Sequence, residues 1–170
     1  FLNFNVNYLA DIYANQPLSV EGIWNRVEYR PLDGFVFAVT PFNFTSIAIN
    51  LAAAPALCGN TVIWKPGPTA VLGAHYGMEL LEAAGLPPGV INFIPGPAET
   101  VGTRVMNDPD LAGVHFTGST PTFKHLWRHV GENLDRYHSY PRVVGETGGK
   151  DFIVAHSSAD PEAVAIAILR

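Results

Sequence analysis

The chain has 170 residues, enough for one domain of ordinary size with a real core and too few for two well-cored ones. Hydrophobic residues make up 48% and charged residues only 15%, which excludes a disordered chain and points to a segment rich in interior. A net charge of -5 argues against a general nucleic-acid binder, which would carry a basic face, and a single cysteine, Cys58, excludes an internal disulfide framework and fits a reducing compartment.

In chain order, Phe1, Phe4, Tyr8 and Ile12 recur at helical spacing, so the opening reads as an amphipathic helix that ends near Pro17. Residues 19–30 alternate weakly and read as a strand or hairpin arm. From Asp33-Gly34 the character changes. Residues 35–40 form a short apolar run broken by Pro41-Phe42-Asn43, and residues 46–57 read as a helix ending at Gly59. The unit then repeats, with strands over 61–65, 90–94, 113–116 and 142–144 and helices over 69–84, 98–106 and 120–133. A further run lies at 152–154. Strands alternating with helices of this length predict an α/β fold: a Rossmann-like doubly wound parallel sheet with right-handed crossovers.

The apolar stretch 47–57 is interrupted by Asn50 and too short to span a bilayer, so no membrane is expected as a partner. Phe1 is not Met, and no leader-like segment follows it. Asp160-Pro161-Glu162 reads as the capped start of a helix that Arg170 cuts short. The expected division is an arm over 1–32, a dinucleotide-binding domain over 33–150, and the truncated start of a following segment over 151–170. The chain reads as a piece of a larger protein, with incomplete appendages at both ends.

Ligands of a doubly wound sheet bind outside the carboxyl ends of its strands, so the strand-to-helix turns carry the chemistry. Gly118-Ser119, directly before a helix, suits a diphosphate: a missing Cβ admits the backbone, and the hydroxyl and free N–H groups donate to phosphate oxygens. The alternative is a plain N-cap after a tight turn. Lys65 ends a strand and is one of three lysines; it reads as a donor to ribose hydroxyls, against the alternative of a solvated rim lysine. Asn43, between two phenylalanines, is placed to donate to a developing oxyanion, unless its side chain satisfies its own turn. Glu146, among glycines, is a candidate general base, with an exposed acid on a flexible turn as the alternative. His125 and His129 share a helix face, but no cysteine, aspartate or third histidine stands at ligand spacing, so no metal is assigned. Trp24, Trp127 and most phenylalanines read as core, and Cys58 as packing rather than nucleophile.

Taken together, Pro41-Phe42-Asn43-Phe44, Trp64-Lys65-Pro66, Phe116-Thr117-Gly118-Ser119 and Gly145-Glu146-Thr147-Gly148-Gly149-Lys150 resemble the aldehyde dehydrogenase superfamily. Residues 116–127, with Asn133-Leu134-Asp135-Arg136-Tyr137 and Tyr140-Pro141-Arg142, are similar to its 1-pyrroline-5-carboxylate dehydrogenase branch, and the resemblance covers nearly the whole chain. It implies NAD as cofactor, held by Thr40, Lys65, Gly118, Ser119, Thr120, Pro121 and Thr122. It implies Asn43 as oxyanion donor, Glu146 as the base that activates water against a thioester, and Phe44 in the wall of the aldehyde tunnel. The implied reaction is oxidation of L-glutamate γ-semialdehyde to glutamate in proline catabolism. A small aldehyde is then the substrate, the full-length protein a homo-oligomer, and the compartment the bacterial cytoplasm or, second, the mitochondrial matrix. The rivals are a relative acting on another aldehyde and a non-catalytic dinucleotide-binding module.

Three positions depart from the family pattern. The nucleophilic cysteine is absent and is expected past Arg170, so the chain alone oxidises nothing. Pro68 stands where many relatives carry an acid that helps hold the ribose, which bears on the choice between NAD and NADP. Thr147 replaces a leucine.

Overall fold

In the computed structural model, which describes residues 1–169, helix α1 (Leu2–Ala14) and an irregular arm lead into strand β1 (Phe35–Val39). There follow α2 (Thr45–Leu57), β2 (Thr61–Lys65), α3 (Val71–Ala83), β3 (Ile91–Phe93), α4 (Ala98–Met106), β4 (Leu111–Gly118), α5 (Thr120–Glu132), β5 (Arg142–Thr147) and α6 (Pro161–Ile168). All five strands are parallel, in the order β3-β2-β1-β4-β5. The chain therefore winds outward from β1 in one direction, then returns to start β4 on its other side.

Both faces of the sheet are covered, as parallel strands demand, and the apolar runs read continuously for that reason. On one face Val36, Ala38, Val62, Trp64 and Ile91 pack against Ala48 and Ala52 of α2 and Ala74 of α3. On the other, Phe37, Val114 and Phe116 pack against Val105 and Met106 of α4 and Leu126 and Val130 of α5. Leu111 joins this second face despite its odd spacing from Val114. The β1–β4 register slips between Phe35 and Val36, and the extra residue on β4 restores the side that strict alternation would reverse.

Gly34 shows why the sequence changes character where it does. Its φ of +120° is open to glycine, and a Cβ there would collide with the Asp110 carbonyl beside the start of β1. Buried Asn60 then ties the arm to the sheet. Its Oδ1 accepts from Leu32 N at 2.9 Å while its Nδ2 donates to Pro55 O at 2.9 Å.

Several expectations are corrected. The arm over 19–30 makes no ladder, only an isolated antiparallel bridge between Val20 and Ile23. Side chains take the place of a partner strand: Gln16 accepts from Val27 N and Asn25 donates to Leu18 O. Residues 152–154 are exposed coil, because no strand lies beside them to accept a ladder. Trp24 and Trp127, read as core, are 76% and 61% exposed. Trp24 has no sheet behind it, and Trp127 lies on the outer side of α5 against Phe123 at 5.7 Å. Phe1, Phe4, Phe42, Phe44 and Phe152 are exposed too, so the phenylalanines divide between core and surface. Cys58 is not packed: it caps the C-terminus of α2 and is exposed. Strand β4 starts earlier and ends later than 113–116, and β5 runs past 144 to Thr147. Helix α6 closes at Ile168 with Leu169 as its C-cap, and Arg170, where the sequence reading cut the helix short, lies outside the described residues. No helix among them is long and apolar enough to cross a membrane.

Candidate functional site

A cleft of about 1030 Å³ opens at the carboxyl ends of β1, β2, β4 and β5. Its wall takes Thr40, Asn43 and Phe44 from the β1–α2 turn, Lys65 from the end of β2, Gly118, Ser119, Thr120 and Thr122 from the β4–α5 junction, and Glu146 from β5. The strand order reverses direction between β1 and β4, and a crevice at such a switch point is where this architecture takes ligands.

Lys65 is the most constrained of these groups. It ends the buried strand β2 and is itself only 4% exposed. Its Nζ donates to the Pro66 carbonyl at 3.3 Å, and no carboxylate pairs with it among the described residues. Burial pushes its pKa below the ordinary lysine value. An ammonium has three donors, so two remain for a ligand. Pro68, further along the same turn, also lines the cleft and adds no side-chain donor or acceptor.

Thr40 is buried, and its Oγ1 accepts from Trp64 Nε1 at 2.9 Å. The hydroxyl keeps one proton to donate. Asn43 is exposed, and among the described residues its amide makes none of the local backbone bonds that a turn former would make. Its donors stay available. Phe44 caps α2 with its backbone and meets Phe1 edge-on at 6.1 Å, so α1 closes one end of the cleft.

Ser119 is the N-cap of α5, accepting from Thr122 N at 3.3 Å and contacting Thr122 Oγ1 at 2.8 Å. The capping alternative is therefore real, and it does not exclude the other role. The Phe123 N–H is taken by Ser119 O and the Thr122 N–H by the cap, which leaves the N–H of Thr120, a residue that lines the cleft, at the positive helix end. Pro121 does not belong with this set. It has no N–H to offer, is exposed, and lines neither the cleft nor its neighbour.

Glu146 stands within β5, paired to Thr117, rather than on the turn expected after residue 144. The turn comes at Gly148, whose φ is +72°. The carboxylate is exposed and has no ion-pair or hydrogen-bond partner among the described residues. An acid fixed by a strand and open to water suits proton transfer better than one on a flexible loop.

A second cavity, of about 470 Å³ and mainly apolar, adjoins the cleft between α4 and α5 and shares Val39, Lys65, Ala98 and Thr122 with it. Ala98, Gly102 and Met106 line it from α4, and His125, Leu126 and His129 from α5. Added to Gly102, a Cβ would meet nothing within 4 Å, so the glycine opens space rather than relieving a clash. These residues are legible only in retrospect: small or apolar side chains recur at helical spacing on α4, and Thr122, Leu126 and His129 do so on α5.

The aldehyde dehydrogenase family model matches residues 1–170. The chain belongs to the aldehyde dehydrogenase family. The probable delta-1-pyrroline-5-carboxylate dehydrogenase of Schizosaccharomyces pombe is 51% identical over 173 residues, covering 100% of this chain and 32% of that protein. The mitochondrial enzyme of the same name from Rattus norvegicus is 50% identical over 170 residues, covering 100% of this chain and 30% of its own. Among solved structures, the Delta-pyrroline-5-carboxylate dehydrogenase of Mycobacterium tuberculosis bound with NAD matches with a TM-score of 0.94 and 62% identity, over 99% of this chain and 31% of that one. The chain thus spans a little under a third of the length of the curated relatives it matches. Its only cysteine, Cys58, lies at the opposite end of α2 from the cleft, so the cleft wall brings together a carboxylate, an ammonium and hydroxyls without a thiol.

Proposed function

We propose that the protein carrying this chain oxidises L-glutamate γ-semialdehyde, formed from 1-pyrroline-5-carboxylate, to L-glutamate with NAD, and that residues 33–150 supply its dinucleotide-binding unit. The observation that carries this reading is the convergence of Lys65, Ser119, Asn43 and Glu146 on one cleft at the switch point of the sheet. The similarity to proteins named as delta-1-pyrroline-5-carboxylate dehydrogenases supports the substrate, and the relative solved with NAD supports the cofactor.

The residues fit a dinucleotide. The apolar slot between α4 and α5 suits a flat base, and the two unused Lys65 donors at its mouth suit the adjoining ribose hydroxyls. The Thr120 N–H and the Gly118-Ser119 turn suit the diphosphate, with Thr40 and Thr122 beside them and Pro121 setting the first helical turn without a contact of its own. Bound NAD supplies the hydride acceptor. Asn43 donates from its amide to the oxyanion that develops when a thiol from outside this chain adds to the aldehyde. Phe44 walls the aldehyde's path, and Glu146 takes the proton from the water that hydrolyses the resulting thioester. We place the protein in the bacterial cytoplasm, on the higher identity to the mycobacterial relative than to the mitochondrial ones, and read the full-length protein as a homo-oligomer.

The test is Glu146→Gln in the full-length protein. Hydride transfer should survive and thioester hydrolysis should fail, so a burst of about one NADH per active site is followed by turnover slowed about a hundredfold or more. Steady turnover at the wild-type rate would remove Glu146 from the role of base.

A further inference from the structure

Helix α2 carries Pro55 in its interior. Proline has no N–H, so the Leu51 carbonyl, four residues earlier, loses the partner that a helix gives it. Leu51 is buried, and water cannot make good the loss. The missing donor comes from the sheet: His115 Nδ1 on β4 lies 3.0 Å from Leu51 O. Val114 and Phe116 face α4 and α5, so alternation turns His115 between them toward α2.

The chemistry of this pair is one-sided. A carbonyl only accepts, so Nδ1 carries the proton. Burial lowers the ring's pKa, which keeps it neutral near pH 7 and makes it the Nδ1–H tautomer. The two elements joined this way are the ones that carry the site. β4 is gripped by β1 and β5 on its two edges and ends at Gly118; α2 lies on the face of the sheet and begins just after Asn43 and Phe44. The far end of α2 is tied separately, by Asn60 at Pro55 O.

We propose that His115 is a positioning residue: its Nδ1–H replaces the N–H that Pro55 lacks, locks α2 onto β4, and so fixes Asn43 relative to the Ser119 turn and Glu146. The functional half of this rests on the reading of Asn43 as oxyanion donor. The structural half rests only on the His115–Leu51 contact.

The experiment is a double-mutant cycle in the full-length protein. His115→Leu removes the donor, and Pro55→Ala gives Leu51 O an N–H of its own helix. His115→Leu should lower kcat about tenfold, since small misplacements of a transition-state donor are costly, while the KM for NAD stays within about twofold. Adding Pro55→Ala should restore most of that loss, and His115→Asn, whose amide donates from nearly the same place, should retain activity. The ¹⁵N spectrum of the wild type should report protonated Nδ1. Equal losses with and without Pro55, or a ring protonated at Nε2, would overturn the proposal. Should His115→Leu fail to fold, the tautomer and the activity of the Asn and doubly substituted proteins still decide it. A wild type that neither binds NAD nor turns over would instead sink the proposed function, and the tautomer, with the same cycle of variants read as melting temperatures, would then decide the positioning bond.

Discussion

Keeping an ammonium in the wall of a parallel sheet is costly, and Lys65 has only the Pro66 carbonyl to offset the water it gave up. In the proposed role of Lys65 as a ribose donor, stability and binding therefore pull in opposite directions at this residue. The folded pKa lies below the unfolded one, so the penalty is full while lysine is charged in both states and fades as pH rises from the lowered value toward 10.5. Lys65→Met should accordingly raise the melting temperature at pH 7, by a margin that shrinks in alkaline buffer, and weaken NAD binding about tenfold through two lost charged donors. Calorimetric unfolding and NAD titration check the two halves, and a variant that is less stable with unchanged affinity would return Lys65 to a structural role. The sequence made Lys65 conspicuous by rarity and by its place at the end of a strand. It did not reveal that Trp64, its neighbour, points the other way to hold Thr40.

Strand β5 illustrates what happens at the scale of an element. Gly145 lowers strand propensity, so the sequence alone stops the strand at residue 144. The ladder with β4 carries it on, Thr117 against Glu146 and Gly118 against Thr147. The glycine is there for packing: a Cβ on Gly145 would drive into the ring of Phe123 on α5, which itself stacks on Phe116 at 5.9 Å. Gly145→Ala should thus destabilise the fold by about 1–3 kcal/mol, as overpacking does, and displace the adjacent Glu146. Denaturant unfolding measures the first effect. Combining it with Phe123→Leu should recover part of the stability, and an alanine variant as stable as the parent would show that α5 yields without cost.

At the scale of the whole chain, the sheet between Phe35 and Thr147 buries its apolar residues well, whereas α1 has no buried residue and the arm and the 152–154 run are open. Leu18 at 89% and Phe152 at 82% exposure, with Trp24, form apolar surface of the kind that seeks another surface. The 170-residue chain expressed by itself should self-associate in sedimentation velocity, and a monodisperse monomer with cooperative unfolding would count against that surface being sticky.

By itself the sequence determined the alternation of strands and helices, most of their boundaries, and the strand ends and turns that carry Asn43, Lys65 and Ser119. These rest on local periodicity and on proline and glycine punctuation, which a stretch of ten or so neighbours contains. Only the tertiary structure decided that the arm forms no sheet, that β5 extends to Thr147, that Pro121 stays out of the cleft, that an apolar slot opens between α4 and α5, and that His115 meets the carbonyl orphaned by Pro55. Each depends on residues far apart in the chain, and no local pattern records which distant backbone group, ring or empty space a side chain will meet.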